Sequence, residues 1–124
     1  MKKINTEHAP AAIGPYSQAV VTGNLIFVSG QLPINPSTGN IDSTDTAGQT
    51  EQSIKNIAAI LESCGSSLDK VVKCTVLMQD LSFFGAMNEV YGRFFTEKPA
   101  RAAYQVARLP KDALIEIEAI AELE

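Results

Sequence analysis

The spacing of apolar residues changes between a strand pattern and a helix pattern along this chain of 124 residues. Residues 17–29 read as two strands. Their connection is predicted at Thr22 to Leu25, where Gly23 can adopt the positive φ that a tight hairpin turn requires. From about Thr46 to Cys64 the apolar and small residues recur every three and four positions, which predicts an amphipathic helix of some five turns.

The ends of this helix carry recognisable signals. Residues 46–49, Thr-Ala-Gly-Gln, are a capping-box candidate at its start, and Gly65 is predicted to end it. Before the helix, prolines, asparagines and a glycine fill residues 32–42, which predicts a surface loop.

The second half of the chain also changes between strand and helix patterns. Residues 71–78 predict a strand, and Ser82 is a candidate N-cap for a second helix with an apolar face of Phe84, Met87, Tyr91 and Phe94. Two extended segments follow, so the predicted order is roughly ββ-α-β-α-ββ. This order predicts an α+β fold with both helices on one face of a sheet. The uncovered face favours packing of further subunits against it.

Length and charge limit the function classes. The chain has the size of one domain and contains no linker, so residues 1–124 are predicted to form a single domain. With 10 basic and 14 acidic residues the net charge is −4, and basic residues cluster only at residues 1–3, so nucleic acid is an unlikely partner. No apolar run is long enough for a membrane span or a signal peptide, and a cytoplasmic protein is expected.

Metal and disulfide chemistry have little support. The two cysteines, Cys64 and Cys74, are not in a CxxC spacing, and His8 is the only histidine, so one chain cannot assemble a Cys/His zinc site. Both cysteines are interpreted as small reduced hydrophobes. No metal site is predicted.

Charged residues in the last two extended segments are the candidate functional groups. Glu116 and Glu118 share one strand face with Leu114 and Ile120, so at least one of them is expected at a partly buried boundary, unless both are solvated on an outer face. Arg101 follows a proline and lies among alanines, which suits binding of an anionic ligand, although a surface salt bridge explains it as well.

A simple hairpin would keep these groups apart. If Leu109 faced Leu114, then Glu116 would face Ala107, and Arg101 would lie about 20 Å away along the sheet. A shared pocket therefore requires that the two strands are not neighbours or that the residues come from different subunits.

Several separated motifs, in order along the chain, resemble the RidA family, also called YjgF-like proteins. The resemblance runs from His8 to Ala121 and is carried by residues 14–18 (GPYSQ), 29–33 (SGQLP), 88–91 (NEVY), 99–101 (PAR) and 106–118 (VARLPKDALIEIE). It implies a chorismate mutase-like α+β fold and a homotrimer with three pockets at the subunit boundaries. It also implies hydrolysis of 2-enamine and 2-imine acids, such as 2-aminoacrylate, 2-iminopropanoate and 2-iminobutanoate, to 2-keto acids and ammonia, without a cofactor.

The resemblance also implies roles for individual residues. Arg101 matches the arginine that grips the substrate carboxylate, and Glu116 matches the acid that orients or deprotonates the attacking water. Tyr16 matches a pocket tyrosine that reaches in from a neighbouring subunit. Polar Ser29 and Asn88 match positions lining the site, and Gly30 belongs to the same wall. The catalytic candidates are therefore Glu116 and Tyr16, and the substrate-binding candidates are Arg101, Ser29, Gly30 and Asn88.

One position departs from the family pattern. Many relatives carry cysteine two residues after the arginine, where this chain has Ala103. Thiol chemistry described for the family is therefore not expected here, and the preferred substrate stays open. Two alternative functions are kept: an endoribonuclease or translation inhibitor, and a non-catalytic module that binds small acids.

Overall fold

The computed structural model describes residues 1–124 as six strands and two α-helices. The strands are β1 (Lys2–Ile4), β2 (Ala19–Thr22), β3 (Leu25–Gln31), β4 (Val71–Met78), β5 (Ala100–Gln105) and β6 (Ile115–Glu122). The helices are α1 (Thr46–Ser63) and α2 (Phe84–Phe94). All six strands form one sheet in the order β1-β2-β3-β6-β4-β5, in which only the β4–β5 pair is parallel.

The predicted α+β class, with two helices on one face of the sheet, is confirmed. The apolar faces of α1 and α2 and one face of the sheet join in a single cluster of 20 buried residues. β6 lies at the centre of this layer, because its alternate residues are fully or nearly fully buried while the residues between them face the other side. Neither helix is long and apolar enough to cross a membrane.

The structure contains one strand, β1, that the predicted order of elements does not include. β1 pairs antiparallel with β2 at the edge of the sheet. Its three residues are too few for a period-two pattern to be recognised, so only the pairing reveals it. The predicted β2–β3 hairpin is confirmed, with Thr22 opposite Leu25 and Gly23 at φ +57°.

The last two strands are not neighbours, so the simple hairpin considered from the sequence is wrong. β6 pairs with β3 and β4, and β5 pairs with the far edge of β4. The chain crosses β4 through the turn Pro110–Asp112, in which Lys111 and Asp112 have positive φ. The sequence Pro-Lys-Asp predicts a turn here, but neither Lys111 nor Asp112 is glycine, so the two positive φ angles were not expected.

Both predicted helix caps are wrong by one or two residues. The carboxylate of Asp45, not the Thr46 hydroxyl, caps α1 by accepting a hydrogen bond from the Gly48 N–H at 2.7 Å. The Gln49 amide does not complete a capping box. It donates to the Ser43 carbonyl and accepts from the Leu114 N–H, which ties the helix start to the end of the sheet.

The start of α2 differs in the same way. The Asp80 carboxylate accepts from the Ser82 N–H at 2.8 Å and begins a single 3₁₀ turn, Leu81–Phe83, that leads into α2. Asp45 caps α1 directly, one residue before Thr46, whereas Asp80 caps the 3₁₀ turn, and α2 itself follows Phe83 without a side-chain cap. A carboxylate is a charge-assisted acceptor for backbone N–H groups, and a hydroxyl is not.

The predicted stop of α1 at Gly65 is confirmed. Gly65 has φ +85°, its N–H donates to the Glu62 carbonyl, and the Ser66 N–H donates to the Leu61 carbonyl. This pair of bonds is the Schellman arrangement that ends many helices, and its left-handed residue is usually glycine.

Replacing Gly65 by alanine is expected to destabilise the protein through backbone conformation alone. No atom lies within 4 Å of a Cβ built at Gly65, so the left-handed φ is the only obstacle, and we expect a loss of about 1 kcal/mol. Thermal unfolding followed by circular dichroism at one protein concentration measures this effect.

Gly85→Ala is the matched control, since Gly85 also has open space but lies within α2 without a positive φ. It is expected to leave the melting temperature unchanged or raised, because alanine favours the helix by up to about 1 kcal/mol. A Gly65→Ala protein as stable as the wild type would contradict the conclusion that the left-handed φ of residue 65 requires glycine.

Candidate functional site

A β-bulge in β3 places two of the predicted site residues. Val28 is opposite Ala119 on β6, but Gln31 is opposite Ile117, so β3 contains one residue more than its partner over this stretch. The extra length falls at Ser29 and Gly30. Bulges of this kind redirect side chains and are frequent beside active sites.

Glu116 lies on the open face of β6, directly against this bulge. A Cβ built on Gly30 would be 2.7 Å from Oε2 of Glu116, so only glycine leaves room for the carboxylate in its observed position. Burial, and to a smaller extent the neighbouring Glu118 charge, raises the pKa of the Glu116 carboxyl above its ordinary value. Of the two glutamates, Glu116 is half-buried and Glu118 exposed, which confirms the predicted boundary position for one of them.

Four of the six predicted site residues line one cavity of about 830 Å³. Glu116, Ser29 and Gly30 form its polar wall, and Tyr16, with 54% of its surface exposed, stands at its rim. The remaining walls come largely from the loop before β2 and the loop after β3 and are mostly apolar: Pro10, Ala11, Ile13, Leu32, Ile34 and Pro36. Within one chain, Tyr16 therefore lines the same cavity as Glu116.

Arg101 and Asn88 lie elsewhere. Arg101 is opposite Cys74 in the β4–β5 register, so its side chain projects to the helical face at the edge of the sheet. There its Nη1 donates to Oδ1 of Asn88 at 2.7 Å. The guanidinium carbon lies 4.8 Å from the centre of the Tyr91 ring and 5.4 Å from the centre of the Phe84 ring.

Arg101 differs from the other two arginines in its electrostatic partners. Arg93 pairs with Glu89 at 2.9 Å, and Arg108 pairs with Asp112 at 3.1 Å. No carboxylate of the chain lies within 4.0 Å of the Arg101 guanidinium, whose only hydrogen-bond acceptor is the neutral Asn88 amide. The salt-bridge alternative for Arg101 is therefore wrong within the chain, and its positive charge is available to an anionic ligand.

The two groups of residues cannot meet within one chain. Glu116 is opposite Leu77 on β4, whereas Arg101 is opposite Cys74, so they are three residues, or about 10 Å, apart along that strand. They also project from opposite faces of the sheet. A ligand the size of a three- or four-carbon acid cannot contact both.

The cysteine environment explains why no thiol takes part in either group. Cys74 is buried under α2, and burial raises the pKa of its thiol to about 11, so it stays protonated. Cys64 is half-buried and forms no disulfide. Ala103 faces the helices and packs against the core.

The aromatic surroundings of Arg101 were not predicted from the sequence. Phe84 and Tyr91 were interpreted only as core residues of α2. Their spacing from Asn88, four residues before it and three after it, places all three on one helix face and was the available signal.

Residues 6–123 match the family model described as endoribonuclease L-PSP. The chain is 52% identical over 124 residues to the 2-iminobutanoate/2-iminopropanoate deaminase of Escherichia coli K12, with 97% of this chain and 96% of the relative covered. Among solved structures, the YjgF gene product of E. coli superimposes with a TM-score of 0.94 at 52% identity, and 98% of each chain is covered. E. coli TdcF with bound serine gives a TM-score of 0.94 at 47% identity, again with 98% of each chain covered. The likeness to YjgF confirms the predicted chorismate mutase-like fold.

Replacing Glu116 by glutamine is expected to stabilise the protein at neutral pH. The raised pKa means that folding disfavours the ionised carboxylate, and glutamine removes the charge at nearly the same volume. We expect a rise in melting temperature of roughly 2 °C at about pH 7. The difference should shrink as the pH falls through the raised pKa and vanish below the ordinary value of 4.5, where the carboxyl is protonated in both the folded and unfolded states.

Glu97→Gln controls for the loss of one surface charge, since Glu97 is exposed in a turn. Its melting temperature should follow that of the wild type at both ends of the pH range. A Glu116→Gln gain that is equally large at about pH 4 would contradict a raised pKa.

Proposed function

Because the chain belongs to the endoribonuclease L-PSP family, which includes the RidA and YjgF proteins, we propose that it is a deaminase of 2-imino and 2-enamine acids. The proposed substrates are small acids such as 2-iminopropanoate and 2-iminobutanoate, and the products are the 2-keto acid and ammonia. The observation that carries the proposal is the Arg101 guanidinium, a half-buried cation with no carboxylate partner in its own chain.

Arg101 is the proposed binding group for the substrate carboxylate. One of its five N–H donors is used by Asn88, which leaves an edge of the guanidinium able to form two parallel bonds to a carboxylate. Two such bonds fix both the position and the plane of the acid. The imine carbon is attached directly to the carboxylate carbon, so its location is then fixed as well.

Glu116 is the proposed acid–base group. It removes a proton from water as the oxygen attacks the carbon of the protonated imine, which gives a tetrahedral intermediate with one hydroxyl and one amino group. The same carboxyl then gives that proton to the amino nitrogen. As the carbon–nitrogen bond breaks, the carboxylate takes the hydroxyl proton and passes it to the departing ammonia, so that ammonium and the 2-keto acid leave. A carboxyl with a raised pKa suits both steps, because it holds a proton more readily near neutral pH.

The other residues of the cavity have supporting roles in this proposal. Gly30 gives the Glu116 carboxylate its space against the bulge. Ser29 and Tyr16 offer hydroxyl groups in the same cavity, where they can hydrogen-bond the water or the substrate nitrogen. Asn88 holds Arg101.

The complete site is proposed to form between subunits of a homotrimer. Arg101 and Glu116 project from opposite faces of one sheet, so a second copy must supply one of them. The open face also carries exposed large apolar side chains, among them Phe27 and Tyr104, which packing of another copy would cover.

Loss of the Arg101 charge is expected to abolish most of the activity. With a serine or threonine dehydratase supplying the imine and semicarbazide competing for it, wild type should accelerate keto-acid release. Arg101→Ala should lose at least about 100-fold in kcat/KM, because a charged pair and substrate orientation are both lost. Arg93→Ala, which removes an exposed ion-paired arginine, is the control and should retain activity. Full activity of Arg101→Ala would refute the assigned role.

Mixed assemblies test whether the site is shared. Arg101→Ala and Glu116→Gln chains should each be inactive alone. When they are co-expressed in equal amounts, about a quarter of the sites should combine an intact Arg101 with an intact Glu116 from different chains and recover activity. If the mixed assemblies recovered no activity, each site would lie within a single chain.

Ribonuclease activity is the second candidate, because the description of the matched family names it. The net charge of −4 argues against RNA as a ligand. This candidate would replace the deaminase if RNA cleavage by highly purified protein disappeared on Glu116→Gln while imine hydrolysis was absent. Tight 2-keto acid binding without turnover would instead favour a small-acid binding module.

A further inference from the structure

Helix α2 presents three neutral side chains to the one arginine without a carboxylate partner. Asn88 accepts a hydrogen bond from it, and Phe84 and Tyr91 offer it their ring faces. Both ring distances are within the roughly 6 Å at which an aromatic face attracts a guanidinium. Three independent contacts from one helix therefore hold Arg101 without neutralising its charge.

The surface beneath Arg101 is rigid. Tyr91 is 7% exposed and packs against Phe95, which is 3% exposed, with 4.5 Å between the ring centres. The Tyr91 hydroxyl is buried beside the Cys74 thiol on β4. Because the ring packs against Phe95 and its hydroxyl is enclosed in the protein, it has little room to follow the movements of the Arg101 side chain.

The neutrality of these contacts matters for binding. A carboxylate beside Arg101 would order the guanidinium but would also occupy its N–H donors and cancel the charge that attracts an anion. Without any contact, the long arginine side chain would sample several rotamers, and a ligand would have to order it on binding. Ring faces and an amide oxygen order the side chain and leave its charge for the ligand.

We propose that Phe84 and Tyr91 are positioning residues that set the affinity for the substrate carboxylate by holding Arg101 in place. Both rings contact the guanidinium, so in this proposal they act on the substrate through Arg101. The inference rests on the proposed role of Arg101 in carboxylate binding. It predicts a change in ligand affinity and in KM, with little change in kcat.

The test compares variants that keep or remove the aromatic face. Phe84→Leu and Tyr91→Leu keep apolar bulk without a ring, whereas Tyr91→Phe keeps the ring. Binding of 2-oxobutanoate, the keto-acid product, is measured by isothermal titration calorimetry or NMR. Each leucine variant should raise Kd and the KM for 2-iminobutanoate about fivefold, with kcat within about twofold of wild type, and Tyr91→Phe should raise Kd less than about twofold.

The same substitutions in an Arg101→Gln background separate positioning from a general structural effect. If the rings act through the guanidinium, a leucine substitution should weaken 2-oxobutanoate binding no further once Arg101 is glutamine. These variants form a double-mutant cycle with Arg101. Phe84 is only partly buried, so the cycle can be completed with Phe84→Leu even if Tyr91→Leu does not fold. Equal effects in both backgrounds, or folded leucine variants with the wild-type Kd, would overturn the inference.

The binding measurement also separates this inference from the proposed activity. A wild-type protein that binds 2-oxobutanoate but does not accelerate imine hydrolysis would refute the deaminase, and the cycle would still decide the role of the rings. A wild-type protein that binds no 2-oxobutanoate would overturn the inference, because Arg101 would then hold no carboxylate.

Discussion

The alternation of buried and outward-facing residues along β6 is the constraint on which the rest of the structure depends. Ile115, Ile117, Ala119 and Ala121 bury one face of this central strand against the helices, and the residues between them must then project to the other face. Glu116 is therefore held on the open side of the sheet by the same packing that builds the core. A shift of one residue would move the glutamates into the helix layer, which the cost of burying two charges excludes.

Two structural features position Glu116 and Arg101 on opposite faces of this sheet. On the open face, the β3 bulge brings Gly30 against Glu116, and the missing Cβ makes room for the carboxylate. On the helical face, α2 holds Arg101 with two rings and an amide oxygen. In each case the supporting atoms are uncharged, so the two ionisable groups stay available for a ligand, and the proposed subunit contact is what would bring them together.

Local sequence signals predicted the elements whose cause is local. The Gly23 turn, the Gly65 helix end, the two helices and the half-buried glutamate were all readable, because each depends on a backbone conformation or a periodicity within a few residues. The caps were misassigned because an aspartate lies just before each hydroxyl residue: Asp45 caps α1, and Asp80 caps the 3₁₀ turn that precedes α2. Local patterns singled out Arg101 and Glu116, and the motifs that resemble the RidA family added Tyr16, Ser29, Gly30 and Asn88 and suggested a role for each residue.

The sequence by itself determined which faces of the strands and helices are apolar, and thus that two helices cover one side of a sheet. Only the tertiary structure decided that β4 lies between β5 and β6, because strand order depends on pairing between residues far apart in the chain. That order places Arg101 at a sheet edge beside α2 and Glu116 on the opposite face beside the bulge. The separation of the two groups within one chain follows from strand pairing, which one-dimensional spacing does not encode.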